Sequence, residues 1–237
     1  MRNFKPFLLE VKNFLFPSDC ALCGDSLTGD EARIALCEDC SLFLAPIQGD
    51  RCNKCGKPLV SERETCLSCR NGPDHSYERL WTLFPYAGKY RKLLSSYKFE
   101  KNLALADFFA EKAVEIIMAS PVLKETVVVP VPPRPGKIKM SGWDQVDYLV
   151  KRMKKLEREN ISVSRCLRRG KSKAQKSLNR SQRMENLNGR IFLNGTAPKT
   201  ALVIDDVTTT GSTLEVCSAV LKENGAEKVY ALCLFFD

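Results

Sequence analysis

Four Cys-x-x-Cys pairs lie between positions 20 and 69: Cys20/Cys23, Cys37/Cys40, Cys52/Cys55 and Cys66/Cys69. They limit the fold more than any other feature, because so short a segment holds too little apolar surface to close a core unaided. The pairs form a repeat in which each copy opens with Cys-x-x-Cys-Gly and closes with Cys-x-x-Cys. Glycine after the second thiol permits the tight turn that aims backbone amides at sulfur. Four thiolates on two such knuckles, separated by a short hairpin, suit tetrahedral Zn2+ and tie folding to metal binding. Two structural zinc sites are expected. A set of four cysteines leaves no open coordination position, which favours a structural over a catalytic role. A redox pair is the alternative, and crossed ligand pairing between the repeats stays open.

The remaining cysteines of the eleven, Cys166, Cys217 and Cys233, sit in apolar stretches and read as buried free thiols. His75, the only histidine, is expected at the surface in the loop after the last pair. With 44% hydrophobic and 27% charged residues in 237, the chain suits one packed domain plus a smaller module. No segment reaches the roughly 18 apolar residues of a membrane span, and Lys5, Glu10 and Lys12 interrupt the apolar run Phe4 to Phe16. The expectation is a cytoplasmic protein without a signal peptide or membrane insertion. A net charge of +9 favours a polyanionic partner, with solubility as the plain alternative.

From Thr126 onward, strand-like and helix-like segments alternate, as in a parallel sheet covered by helices. Val127 to Val129 is stopped by Pro130 and Pro132, while Val146, Leu149, Val150, Met153 and Leu156 recur on one helical face. Ala201 to Ile204 reads as a buried parallel strand, Leu214 to Glu223 as a helix ended by Asn224-Gly225, and Lys228 to Phe236 as a last strand. Tyr90, Leu93, Leu94 and Tyr97 form a packing stripe, with Lys98 at its end within conceivable reach of a phosphate.

The junction Leu202-Val-Ile-Asp-Asp-Val-Thr-Thr-Thr-Gly-Ser-Thr213 carries the chemistry. Two acids end a buried strand, and a hydroxyl-rich loop opens a helix. Ligands of open parallel sheets bind at strand carboxyl ends, and helix N-terminal amides suit phosphate. Hydroxyls of Thr209, Thr210, Ser212 and Thr213, with close backbone approach at Gly211, can surround a monophosphate. Adjacent Asp205 and Asp206 need hydroxyl donors or a cation such as Mg2+. A ribose diol beside a 5′-phosphate satisfies both halves. The alternative is a strand end whose Ser and Thr merely cap the helix.

These motifs resemble the ComF family, whose members pair a double zinc ribbon with a type I phosphoribosyltransferase domain and are associated with competence for transformation. The resemblance rests on the cysteine repeats, Val129-Pro-Val-Pro132, Gly142-Trp-Asp-Gln145, Leu167-Arg-Arg169 with Gln175, Arg183, Asn186 and Gly189, and above all Ile204 to Thr213. It implies an α/β parallel sheet flanked by helices behind the ribbon module: an N-terminal segment at 1–17, ribbons at 18–72, and a phosphoribosyltransferase-like domain at 73–237. In it, Asp205 and Asp206 would contact the ribose diol as the catalytic pair, and Thr209, Thr210, Gly211, Ser212 and Thr213 would cradle the 5′-phosphate of phosphoribosyl diphosphate, bound with Mg2+. The turn Pro130 to Lys137 looks like the diphosphate loop, with Arg134, Lys137 and Lys139 as its cations or as solvent-facing charge. Ser141 and Asp144 depart from the arginine and asparagine usual in the family.

Eight basic residues (Arg165, Arg168, Arg169, Lys171, Lys173, Lys176, Arg180, Arg183) fall between 165 and 183 with no acid. By the resemblance, the stretch 168–186 is a mobile loop closing over the diphosphate. It would equally serve to track single-stranded DNA, with Trp143, Tyr148 or Phe99 stacking on bases. Three functions follow: a phosphoribosyl-diphosphate-binding protein of DNA uptake working with single-stranded DNA or a helicase-like partner, a transferase with an unidentified nitrogen acceptor, or a zinc-ribbon interaction module with a vestigial or sensing sugar-phosphate site.

Overall fold

The computed structural model describes residues 18–44, 49–170 and 189–237. Lys171, Lys173, Gln175, Lys176, Arg180, Arg183 and Asn186, and the segment Phe4 to Phe16, lie outside the described residues. Along the chain run β1 (Ser18–Asp19), β2 (Ser26–Leu27), α1 (Glu31–Ile34), α2 (Glu38–Phe43), α3 (Leu67–Arg70), β3 (Leu80–Pro85), α4 (Gly88–Phe99), α5 (Leu105–Ala119), α6 (Pro121–Lys124) and β4 (Val127–Pro130). Then come α7 (Lys137–Ser141), α8 (Gln145–Leu156), β5 (Ser162–Val163), β6 (Leu167–Arg169), β7 (Ile191–Leu193), β8 (Thr200–Thr208), α9 (Ser212–Glu223) and β9 (Lys228–Phe236).

Five strands form one parallel sheet in the order β3-β9-β8-β4-β5. Its centre is β8, whose run Ala201 to Ile204 is apolar at every position because both faces are covered. Leu202 and Ile204 face α4, α5 and α8, packing with Leu93, Phe108, Phe109, Leu149 and Met153. Ala201 and Val203 face the other way, toward Leu214, Cys217 and Leu221 of α9 and Leu167 and Ile191 of the β6-β7 hairpin. Cys166, Cys217 and Cys233 are core thiols, as expected.

From β4 the chain crosses through α8 to β5 on one side, then returns to β8 on the other side of β4. The connections leaving β4 and β8 thus diverge to opposite faces and open a crevice beyond their carboxyl ends. Both the Pro130 to Lys137 turn and the Asp205 to Thr213 segment emerge there. No helix among the described residues is long and apolar enough to cross a membrane.

The ribbons differ from expectation in how their hairpins are used. A hairpin does not separate the two knuckles of a repeat; it carries the first knuckle at its tip, Cys20 to Cys23 between β1 and β2, and Cys52 to Cys55 within the Arg51–Pro58 bridge. The closing knuckles lie on α2 and α3, with Cys37 and Cys66 as extended N-cap residues. The first ribbon shares the main core through Leu27, Leu36 and Leu44. The second docks on β3: the Leu80 amide donates to the Asn53 carbonyl at 2.8 Å, and the Arg51 guanidinium donates to Thr82 Oγ1 at 2.8 Å. Gly56 makes this docking possible, since a Cβ at its φ of +74° would lie 2.8 Å from Thr82 Cγ2.

Candidate functional site

Two clusters gather the eight ribbon cysteines, and the pairing is within repeats: Cys20, Cys23, Cys37 and Cys40 in one, Cys52, Cys55, Cys66 and Cys69 in the other, with the sulfurs of each within 4.8 Å of one another. The Cys23–Cys37 and Cys55–Cys66 sulfurs are 3.6 and 3.8 Å apart. Four thiolates about 2.3 Å from Zn2+ in a tetrahedron would be spaced by about 3.8 Å, so the cages fit the ion. Burial pushes the Cys52 thiol up, yet amides of Cys66, Cys55 and Lys54 outweigh it and bring the group down to about 7. Burial pushes Cys55 up to about 11, the nearby Cys52 thiol adding to the rise. Of these two ligands, Cys52 therefore forms its thiolate more readily.

At the crevice, Asp206 is held by two side chains. Its Oδ2 accepts from Lys98 Nζ at 2.7 Å and from Gln145 Nε2 at 2.6 Å. Burial alone would raise this carboxyl, but Lys98, Gln145 and the more distant Lys137 hold it below the usual range. Asp205 goes the other way: burial first, then the neighbouring Asp206 charge, push it well above the usual carboxylate range, although its Oδ1 accepts the Asp206 amide at 2.8 Å. Of the two, Asp206 is thus the stronger acid.

Lys98 comes from the last turn of α4, and Gln145 is the first residue of α8. Lys137 Nζ contacts the Gln145 amide oxygen and lies 2.7 Å from Asp144 Oδ2. Asp144 in turn caps α8, its Oδ1 accepting from the Val146 and Asp147 amides at 3.1 and 3.0 Å. Lys137, expected to reach a diphosphate, is therefore engaged by Asp144 and Gln145. Ser141 completes the α7 turn, its hydroxyl lying 2.7 and 2.8 Å from the Lys137 and Trp143 carbonyls, either of which can accept its one proton.

On the opposite side of β8, Arg169 at the end of β6 is half-buried and its Nε has no partner among the described residues. Burial, then the positive charge of Arg134, lowers its pKa, with Arg190 adding to the effect and Cys217 and Asp205 opposing it. Arg169 thus feels the charges of Arg134 and Arg190 as well as that of Asp205. Arg134 was singled out by sequence; Arg169 was read only within the basic run, and Arg190 was not identified.

The loop after β8 turns through Gly211 at φ +71°, a left-handed conformation that favours glycine, and leads into α9. Thr210 Oγ1 and Ser212 Oγ are 2.8 Å apart, and Thr213 lies in the first turn of α9 with Ser212. Thr209 is exposed at the lip. Beneath the loop, Tyr77 is buried with its hydroxyl 3.5 Å from where a Cβ on Gly211 would stand.

His75 is not a surface side chain. It is 8% exposed, stacks on Tyr77 with ring centroids 4.8 Å apart, and places Nδ1 2.9 Å from Glu215 Oε2. Glu215 Oε1 also accepts from the Ser76 amide at 2.9 Å and the Ser76 hydroxyl at 2.6 Å. The linker leaving the second ribbon is thereby fixed to the first turn of α9. Of the three aromatics considered for base stacking, Trp143 packs on Tyr97 and Tyr148 at 5.3 and 6.0 Å, while Phe99 is 74% exposed.

A double zinc ribbon domain description matches residues 11–70. The competence protein ComFC of Streptococcus pneumoniae is 29% identical over 230 residues, covering 91% of this chain and 98% of that one. The DNA utilization protein YhgH of Escherichia coli is 24% identical over 206 residues, covering 82% of this chain and 88% of that one. Among solved structures, an orotate phosphoribosyltransferase from Aeropyrum pernix aligns at 21% identity over 62% of this chain and 64% of that chain, with a TM-score of 0.33.

Proposed function

We propose that this chain, a ComF-like protein in which a double zinc ribbon precedes a phosphoribosyltransferase-type domain, binds phosphoribosyl diphosphate and acts in DNA uptake. The observation that carries the reading is the crevice at the sheet's switch point, where the Asp205–Asp206 end of β8 leads directly into the hydroxyl loop that opens α9. The loop Thr209 to Thr213 takes the 5′-phosphate, using hydroxyls and the α9 N-terminal amides. Asp205 and Asp206 take the 2′,3′-diol. Arg134, with Arg169 and Arg190, faces the diphosphate, a bidentate match of guanidinium to phosphate oxygens. Mg2+ is expected to enter on the diphosphate as part of the ligand.

The relatives named for competence and DNA utilization, and the net charge of +9, support a nucleic-acid context and a single-stranded DNA or helicase-like partner. The ribbons hold Zn2+ structurally and supply docking surface.

Thermal unfolding of the zinc-loaded chain, with and without phosphoribosyl diphosphate and Mg2+, tests the ligand. A ligand that binds only the folded state at about a hundred times its Kd stabilises by about 2.7 kcal/mol. The expected result is a shift in the wild type that Asp205→Ala/Asp206→Ala loses while keeping both zincs. An equal shift in the double variant would remove the carboxylates from the site, and no shift in the wild type would favour the interaction-module alternative.

A further inference from the structure

A pair of adjacent acids at a phosphate site invites a divalent cation, but the geometry here does not suit one. Asp206 Oδ2 already receives two donors, Lys98 Nζ at 2.7 Å and Gln145 Nε2 at 2.6 Å. Asp205 Oδ1 is engaged by the Asp206 amide at 2.8 Å. Mg2+ requires oxygens near 2.1 Å in an octahedron, with carboxylates carrying charge toward it. To reach Asp206 it would have to displace an ammonium already in contact, or lie beside that positive charge. Nor does the next carboxylate offer an alternative, since Asp144 Oδ2 is taken by Lys137 Nζ at 2.7 Å and its Oδ1 caps α8.

Lys98 is held in place for this task. It sits in the last turn of α4, where a cation is favoured by the helix dipole, and α4 is anchored by the buried Leu93, Leu94 and Tyr97. Tyr97, its neighbour, donates its hydroxyl to the Gln145 carbonyl at 2.7 Å, so the two donors to Asp206 come from elements bonded to each other. The Lys98 side chain is 28% exposed, against 8% for Asp206, so the ammonium stands between the carboxylate and solvent with donors to spare.

We infer that Lys98 is the resident cation of the Asp205–Asp206 pair, so that the chain binds the ribose 5-phosphate end of its ligand without a divalent metal at the carboxylates. Lys98 keeps Asp206 ionised as an acceptor for one sugar hydroxyl and turns a remaining N–H toward the sugar oxygens. It is a positioning group that replaces a metal, and it leaves Mg2+ to the diphosphate alone. This rests on the sugar-phosphate reading for its ligand, but the metal exclusion is a property of the free protein.

Two measurements separate those parts. In the first, Mn2+ is titrated into the zinc-loaded full chain without sugar and free Mn2+ is followed by electron paramagnetic resonance. Wild type should show no site that depends on Asp205 and Asp206, whereas Lys98→Ala and the longer Lys98→Gln should each gain one, lost again on adding Asp206→Asn. A wild-type Mn2+ site that Asp206→Asn abolishes would overturn the inference, as would folded, zinc-replete Lys98 variants that gain none.

In the second, ribose 5-phosphate binding is measured by calorimetry in buffer with and without Mg2+. Wild-type affinity should not change with Mg2+; Lys98→Ala should bind at least about tenfold more weakly and regain affinity when Mg2+ is added. Wild-type binding that requires Mg2+ would overturn the inference. Absence of ribose 5-phosphate binding under either condition would overturn the sugar-phosphate reading instead, with the Mn2+ result still deciding the role of Lys98.

Discussion

Replacing Glu215 is expected to loosen the Thr209 to Thr213 loop from below without removing any hydroxyl of that loop. Its carboxylate accepts three hydrogen bonds from the linker, two from Ser76 at 2.9 and 2.6 Å and one from His75 at 2.9 Å, and is 14% exposed. A bond to a charged group contributes about 1.5–3 kcal/mol, but three on one side chain do not add fully. Glu215→Ala should therefore cost roughly 3–4 kcal/mol, and Glu215→Gln, which keeps an acceptor for Ser76, about 1–2 kcal/mol. At roughly 2–4 °C per kcal/mol for a chain of this size, calorimetry should show the alanine variant melting about 6–16 °C below wild type. The effect has a pH signature. Burial alone would raise the Glu215 carboxyl, but its bonds from His75 and Ser76 hold it below the usual range. A depressed folded-state pKa gives stability that is present above the unfolded value of about 4.3 and is lost as pH falls through the folded value. The gap between wild type and Glu215→Gln should thus persist above about pH 5 and close below about pH 4. Because Tyr77 lies between His75 and Gly211, ribose 5-phosphate affinity should fall a few-fold as well. A Glu215→Ala protein within about 0.5 kcal/mol of wild type would refute this account of the linker, since that is the scatter of featureless surface changes.

Two further outcomes are expected. Cys52→Ser/Cys55→Ser should lower zinc from two ions to one per chain by elemental analysis, because the cages are formed within repeats, and should destabilise the start of β3 through the lost Asn53–Leu80 and Arg51–Thr82 contacts. Asp107→Ala should cost roughly 3–5 kcal/mol in denaturant unfolding, because it strands the Arg152 guanidinium that grips both Asp107 oxygens between α5 and α8.

What was legible in the sequence was local. Lys228 to Phe236 is a strand over the limits its apolar and aromatic run suggests, because a strand covered on both faces is apolar almost throughout, and α8 follows the apolar spacing from Val146 to Leu156, because its buried face repeats with the helical period. The Leu202 to Thr213 junction is likewise one continuous segment, with α9 beginning two residues earlier than periodicity alone marks because Ser212 and Thr213 take helical geometry after Gly211. The missed contributions are contacts between distant segments. His75 and Glu215 are 140 positions apart, and Gln145 and Asp206 are 61 apart; no periodicity encodes such a meeting. A lone histidine in a Gly-Pro loop reads as surface because its stacking partner Tyr77 and its carboxylate come from the fold. Lys137 is a further case: its partner Asp144, seven positions on, is set by the turn between them and is not marked by any periodicity.

Charge placement explains how an acid pair and a polyanion ligand can share one crevice. Were Asp205 and Asp206 both ionised, they would repel each other and the phosphates; burial and mutual repulsion instead push Asp205 up while Lys98 and Gln145 hold Asp206 down. Lys98 pairs with Asp206, the stronger acid of the two, as Lys137 pairs with Asp144. Arg169, whose Nε has no partner among the described residues, lies near Arg134, and burial makes it less comfortable as a cation without an anion. A phosphorylated ligand would relieve that cost, whereas a neutral sugar would not. Ribose should therefore bind far more weakly than ribose 5-phosphate, and phosphoribosyl diphosphate more tightly than either, with Arg169→Ala weakening the diphosphate form selectively. Equal loss for ribose 5-phosphate and phosphoribosyl diphosphate in that variant would place Arg169 in the scaffold and leave the diphosphate to other groups.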